Sequence, residues 1–162
     1  MVDDNKLKFT QIIMNAWLYG VESTSNLFFE RPKLFYRKWG TLAIHPFIES
    51  WGELGMEFQK GLSPYNTVKM FIDALVAAHF FNSEDFEFGG DDNNFTFKAI
   101  KCPYKSHCKK LVDNKNEIAC LRAITLLGSL DYNVEGESLK YKYNFDFNEN
   151  APCNVVFERF KD

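Results

Sequence analysis

Apolar residues recur at helical spacing through the first half of the chain and alternate with polar ones near its end. In FTQIIMNAWL, Phe9, Ile12, Ile13, Ala16 and Trp17 share one stripe, which predicts a helix over Phe9–Leu18 with Gly20 as its stop. A short second helix is expected over Arg31–Trp39, because Pro32 suits a first turn. Ile44, Phe47, Ile48, Trp51, Leu54 and Phe58 form the buried face of a third, opened at Pro46 and closed by Gly61. Ser63-Pro64 makes an N-cap and first-turn pair for TVKMFIDALVAAHFF, apolar on most of its circumference and so expected to be central.

The character changes after Phe81. Phe86 and Phe88 mark a strand, GGDDNN a turn and Phe95–Lys101 a second strand, together a hairpin. A helix is expected from about Asn116 to Leu130. Then Leu139, Tyr141, Tyr143, Phe145 and Phe147 alternate with polar neighbours, the period of a strand with one buried and one wet face. The turn NENAP leads into a last strand, Val155–Phe160, completing a second hairpin. The expected fold class is α+β: an N-terminal helical layer packed on a small antiparallel β-sheet built from two hairpins with an intervening helix. One domain is expected over 1–162, with a helical half at about 1–81 and an α/β half at about 82–162.

Composition adds one unusual feature. The chain is 17% aromatic, with 17 Phe, 7 Tyr and 3 Trp, and each ring buries on the order of 150–250 Å². Either the core is built of Phe, or part of that surface lines a cavity or an interface. The net charge is −3 and the pI about 5.7. Residues 1–81 carry 8 basic and 8 acidic side chains and residues 82–162 carry 11 and 14, so no basic face for nucleic acid is expected. The lysines between Lys98 and Lys115 read as a solvated surface. No stretch approaches the ~18 apolar residues of a membrane span, and the polar start MVDDNKLKFTQ does not read as a signal peptide. A cytoplasmic protein with neither a membrane nor a nucleic-acid partner is expected.

All four cysteines, Cys102, Cys108, Cys120 and Cys153, lie in the second half of the chain, near the ends of predicted elements. The five residues between Cys102 and Cys108 exceed the two to four usual in zinc loops. Spacing therefore leaves three uses open: a thiolate site for zinc, ordinary packing of a small apolar side chain, and reactive or disulfide chemistry.

Cys120-x7-Gly128, the alternating stretch 139–147 and Cys153-Asn-Val-Val-Phe157 together resemble the 4-vinyl reductase domain family. The resemblance extends to the order of elements across most of the chain, and implies a fold akin to subunits of the TRAPP vesicle-tethering complex. It also implies binding of a small phenolic or hydrocarbon molecule and a structural zinc in the C-terminal part. Cys120 and Cys153 match the family's outer two metal ligands. Its Glu and Cys on the hairpin have no counterpart, since 141–146 reads Tyr-Lys-Tyr-Asn-Phe-Asp. Cys102 and Cys108 are expected to complete the set, with His107 or Asp146 as substitutes.

No nucleophile elbow, P-loop, dinucleotide fingerprint or H-E-x-x-H is present, and an enzyme is not the leading expectation. The leading expectation is a sensor or carrier that holds a small apolar or aromatic ligand in an apolar, aromatic-lined pocket between the helical layer and the sheet. Trp17, Phe35, Trp39, Trp51 and Phe71 are expected to line it, with His45 and His79 able to fix a ligand's polar group. Glu49 and Glu53 fall off the apolar stripe and read as solvated. Two alternatives stand beside it: a protein-interaction module that forms a homodimer through an aromatic helical face, and a cysteine-centred hydrolase or redox enzyme.

Overall fold

The period-2 stretches do form a sheet and the period-3.6 stretches do form helices. The computed structural model describes residues 4–161, with only the backbone given for 4–8 and 11; the first three residues of the polar start lie outside the described residues. Among the described residues the helices are α1 (Asp4–Phe28), α2 (Pro32–Glu49), α3 (Pro64–Ala77), α4 (Lys105–Asp113) and α5 (Leu121–Asn133). The strands are β1 (Phe86–Gly90), β2 (Asn94–Ala99), β3 (Tyr141–Asp146) and β4 (Cys153–Arg159). The strands pair antiparallel in the order β1-β2-β4-β3, with Phe95 opposite Phe157 and Tyr143 opposite Phe157 from the other side. The protein is α+β, as the patterning requires.

The chain's internal contacts divide it into two units. The first is Met1–Tyr36 with Pro103–Ile118, and the second is Arg37–Cys102 with Ala119–Asp162. The excursion that carries α4 belongs with α1, and the boundary near residue 36 falls inside α2.

The second unit owns the large core. The inner face of its sheet presents Phe95, Phe97, Tyr141, Val155 and Phe157, all at most 1% exposed. Against it lie Val68, Phe71, Ile72 and Leu75 of α3 and Ala123, Leu126, Leu127 and Leu130 of α5. Rings stack within this layer, Phe95 on Phe157 at 4.6 Å and Trp51 on Phe71 at 5.3 Å. Each such side chain stabilises the fold by about 1.5–3 kcal/mol through removal from water. The outer face is wet, and Lys98–Glu87 and Lys142–Glu158 pair across strands. Within this unit α2 and α5 cross closely because two glycines allow it. A Cβ on Gly128 would stand 2.7 Å from the Cβ of Ile44, and one on Gly40 would collide with Ile124.

Several boundaries differ from the sequence reading, each for a local reason. α1 does not stop at Gly20 but runs eight residues further; glycine costs a helix only about 1 kcal/mol. Pro46 does not open a new helix. It lies in the last turn of α2, where its missing N–H leaves the Leu42 carbonyl without its helical partner, and a 3-10 turn over Ser50–Leu54 follows. α4 was not anticipated, since KSHCKKLVD is too short and too polar to show a clear stripe. α5 begins later than expected, with Cys120 as its N-cap. α3 ends at Ala77, and His79 takes the left-handed conformation (φ 61°) just beyond it. The His79 N–H bonds the Val76 carbonyl and the Phe80 N–H the Leu75 carbonyl, the paired bonds of a Schellman cap.

Candidate functional site

The first unit is organised around α1. One side of this helix carries Glu22 and Ser25, 1% exposed each, and faces polar partners. The Glu22 carboxylate meets His107 Nε2 of α4 at 2.5 Å, with both side chains 1% exposed. Such a pair survives burial only because each charge or dipole finds the other. Tyr19 lays its ring edge-on to His107, and Asn114 donates to the Tyr19 hydroxyl at 3.3 Å. Asn26 clips α1 to the segment after α4, donating to the Glu117 carbonyl at 3.1 Å and accepting its N–H at 2.8 Å. The Ser25 hydroxyl bonds the Glu22 carbonyl (3.0 Å) and shares a short hydrogen bond with the Tyr36 hydroxyl. Burial pushes the Tyr36 phenol well above its ordinary value, so it stays a neutral donor.

On the other side of α1 an open groove of about 590 Å³ runs beside the start of α2. Its floor is Ala16, Gly20 and Thr24, a row of small side chains one turn apart. Trp17 and Val21 wall one side, and Phe29 and Phe35, stacked at 4.8 Å, wall the other. Ser25 borders the groove, with its hydroxyl held by Tyr36 and the Glu22 carbonyl. The lining is mostly apolar, and its size falls within the range of about 300–1,000 Å³ typical of small-molecule sites. A second cleft of about 650 Å³, in the second unit, is polar, and most of its charges have partners: Lys142 with Glu158 at 2.5 Å and Arg159 with Glu137 at 2.9 Å.

Of the residues predicted to hold a ligand, Trp17 and Phe35 meet in the groove. The other five belong to the second unit. Trp51 and Phe71 are core, 1% and 0% exposed, and fill the layer above the sheet where a pocket was expected. Trp39 is half-buried. His45 is half-exposed, 3.7 Å from Asp131 and edge-on to Tyr132. His79 is exposed at the helix cap. Sequence reasoning missed Gly20, Val21, Thr24, Ser25 and Phe29, and also the Glu22–His107 pair. Continuing the helical register past Gly20 would have carried the apolar stripe into the groove and set Glu22 opposite it with Asn15 and Asn26; the pairing with His107 has no signal in the sequence.

The predicted metal ligands are divided. Cys108 lies on α4 in the first unit, and Cys102, Cys120 and Cys153 lie in the second. No disulfide joins any of the four. Among the described residues no three His, Cys, Asp or Glu side chains form a group able to hold a metal. Burial pushes the Cys120 thiol up to about 12. The Cys153 thiol instead donates to the Asn148 carbonyl at 3.6 Å. No described helix is long and apolar enough to cross a membrane. No family model, no curated protein and no solved structure matches the chain.

Proposed function

We propose that this chain is a small-molecule-binding domain, a cytoplasmic sensor or carrier, whose groove on α1 takes an apolar or aromatic ligand. The observation that supports the reading is the groove itself: small residues along its floor, aromatic rings as its walls, and Thr24 as its exposed hydroxyl. A flat ring can slide between Trp17 and the Phe29–Phe35 stack and reach the floor at Gly20, where a side chain would stand in the way. Burying such a ligand gains free energy from area, while a hydroxyl fixes its orientation. The resemblance to the 4-vinyl reductase domain family belongs to this proposal and rests on Cys120, Gly128 and Cys153. So does a structural zinc on the cysteines; no binding step depends on it, and metal analysis of the untagged protein decides it.

The test is thermal unfolding of the full chain against a panel of alkylphenols, naphthols and alkanes. A ligand at about 100 times its dissociation constant stabilises by about 2.7 kcal/mol. Gly20→Leu and Trp17→Ala, both at exposed positions, should abolish the shift without changing the circular dichroism spectrum. A panel that leaves the melting temperature unmoved would sink the proposal. A second reading, an interaction module, is favoured by one observation: the apolar face of α1 extends well beyond the groove.

A further inference from the structure

Between Phe9 and Phe28, α1 is turned inside out. Glu22 and Ser25 face the interior of the first unit, while Phe9, Ile12, Trp17, Leu27 and Phe28 stand 64%, 66%, 73%, 80% and 78% exposed. At about 100° per residue, Phe9, Ile13, Trp17, Gly20, Leu27 and Phe28 fall within roughly a third of the helix circumference. The rings of Phe9, Trp17, Phe28 and Phe29 alone leave on the order of 500 Å² exposed, at about 200 Å² per ring. With Ile12, Ile13 and Leu27 the patch approaches the roughly 800 Å² that each partner gives to a standard interface. It exceeds the largest apolar patch of a typical monomer, about 300–600 Å².

The chemistry of the face narrows its occupant. From 9 to 28 the sequence holds a single charged residue, Glu22, and that side chain is buried against His107. A face without Lys or Arg offers no grip to phosphate, whether on nucleic acid or on an anionic bilayer. It also meets no like-charge repulsion when paired with itself.

We infer that the occupant is a second copy of this chain, docked antiparallel along α1 about a two-fold axis midway between Trp17 and Gly20. A two-fold contact uses one patch twice and must be self-complementary. This axis sets Trp17 against the partner's Gly20 and Phe9 against the partner's Phe28. A bulky ring then meets a position with open space, since a Cβ on Gly20 would touch nothing within 4 Å. The partner's Trp17 also covers the open side of the groove and turns it into a chamber. That consequence rests on the ligand reading proposed above; the pairing does not.

Sedimentation equilibrium of the full chain tests the pairing, with an expected mass of twice 18.9 kDa at micromolar concentration. Trp17→Asp and Gly20→Trp should each weaken association at least about 30-fold, equivalent to about 2 kcal/mol. Both lie on the exposed face, so circular dichroism should be unchanged. The exchange variant Trp17→Ala/Gly20→Trp, which returns large against small in the same register, should restore the dimer. A chain that stays at 18.9 kDa throughout overturns the inference, as does a monomer that floats with phosphatidylcholine vesicles instead. Single variants that dimerise like the parent overturn it too, and a monomeric exchange variant overturns the antiparallel register. Dimerisation without any thermal response to the ligand panel removes the ligand reading and leaves the pairing intact.

Discussion

The crossing of α2 and α5 can be probed by one added methyl group. In Gly128→Ala the new Cβ would stand 2.7 Å from Ile44 Cβ, 2.8 Å from its Cγ1 and 3.2 Å from its Cγ2, where carbon atoms prefer about 3.5–4.0 Å. The nearest atom is a Cβ fixed to the α2 backbone, so a rotamer change cannot relieve the overlap and the helices must part by nearly an ångström. Overpacking of this kind costs about 1–3 kcal/mol. Alanine in place of glycine within a helix returns about 1 kcal/mol. The backbone displacement puts the cost in the upper part of its range, so a net loss of about 1–2 kcal/mol is expected. For a chain of this size each kcal/mol lowers the melting temperature by about 2–4 °C. Urea unfolding followed by fluorescence of the buried Trp51 measures the loss. Ile44→Ala removes two of the three offending atoms, so the double variant should be less destabilised than the sum of the singles by about 0.5 kcal/mol or more. If Gly128→Ala stabilises the protein by the full helix-propensity gain, the two helices do not approach as described.

Three further outcomes are expected. His107→Ala strands the buried Glu22 carboxylate and should cost about 3–5 kcal/mol in chemical unfolding; a loss below about 1 kcal/mol, the scale of an exposed pair, would place that pair at the surface. In alkylation with iodoacetamide at mildly alkaline pH, half-buried Cys102 should react before buried Cys120, whose thiol is pushed up to about 12. Equal rates would contradict the burial of Cys120. The Asp91 carboxylate, which accepts the Asn94 and Asn93 N–H groups at 2.9 and 2.8 Å, is held below its ordinary range by those bonds. Its folded value is the depressed one, so its contribution is complete above the unfolded value of about 3.9 and is lost as the pH falls through the folded value. Asp91→Ala should remove that part of the acid limb of the stability profile, and an NMR titration that placed Asp91 at or above the unfolded value would refute the argument.

Periodicity alone determined the fold class. Tyr141–Asp146 had to become a strand, although Leu139, at the start of the alternating stretch, falls in a 3-10 turn and is exposed, and TVKMFIDALVAA had to become a helix, because side-chain direction repeats every two residues in one and every 3.6 in the other. Those rules act within a few residues and need no knowledge of the rest of the chain. They could not decide which apolar stripe would be covered. The stripe from Phe9 to Trp17 and the one from Ile44 to Trp51 look alike in sequence, yet Trp17 is 73% exposed and Trp51 is 1% exposed. Only tertiary structure separates them: Trp51 finds Phe71 at stacking distance above the sheet, whereas α1 turns inward to satisfy Glu22 with His107, 85 residues away in the chain. Buried as it is, the Glu22 carboxylate is held by that partner, and the apolar side of α1 faces out. The four cysteines show the same limit. Their sequence positions allowed one shared site, and the fold places Cys108 on α4 with α1 and leaves the other three with the sheet and α5.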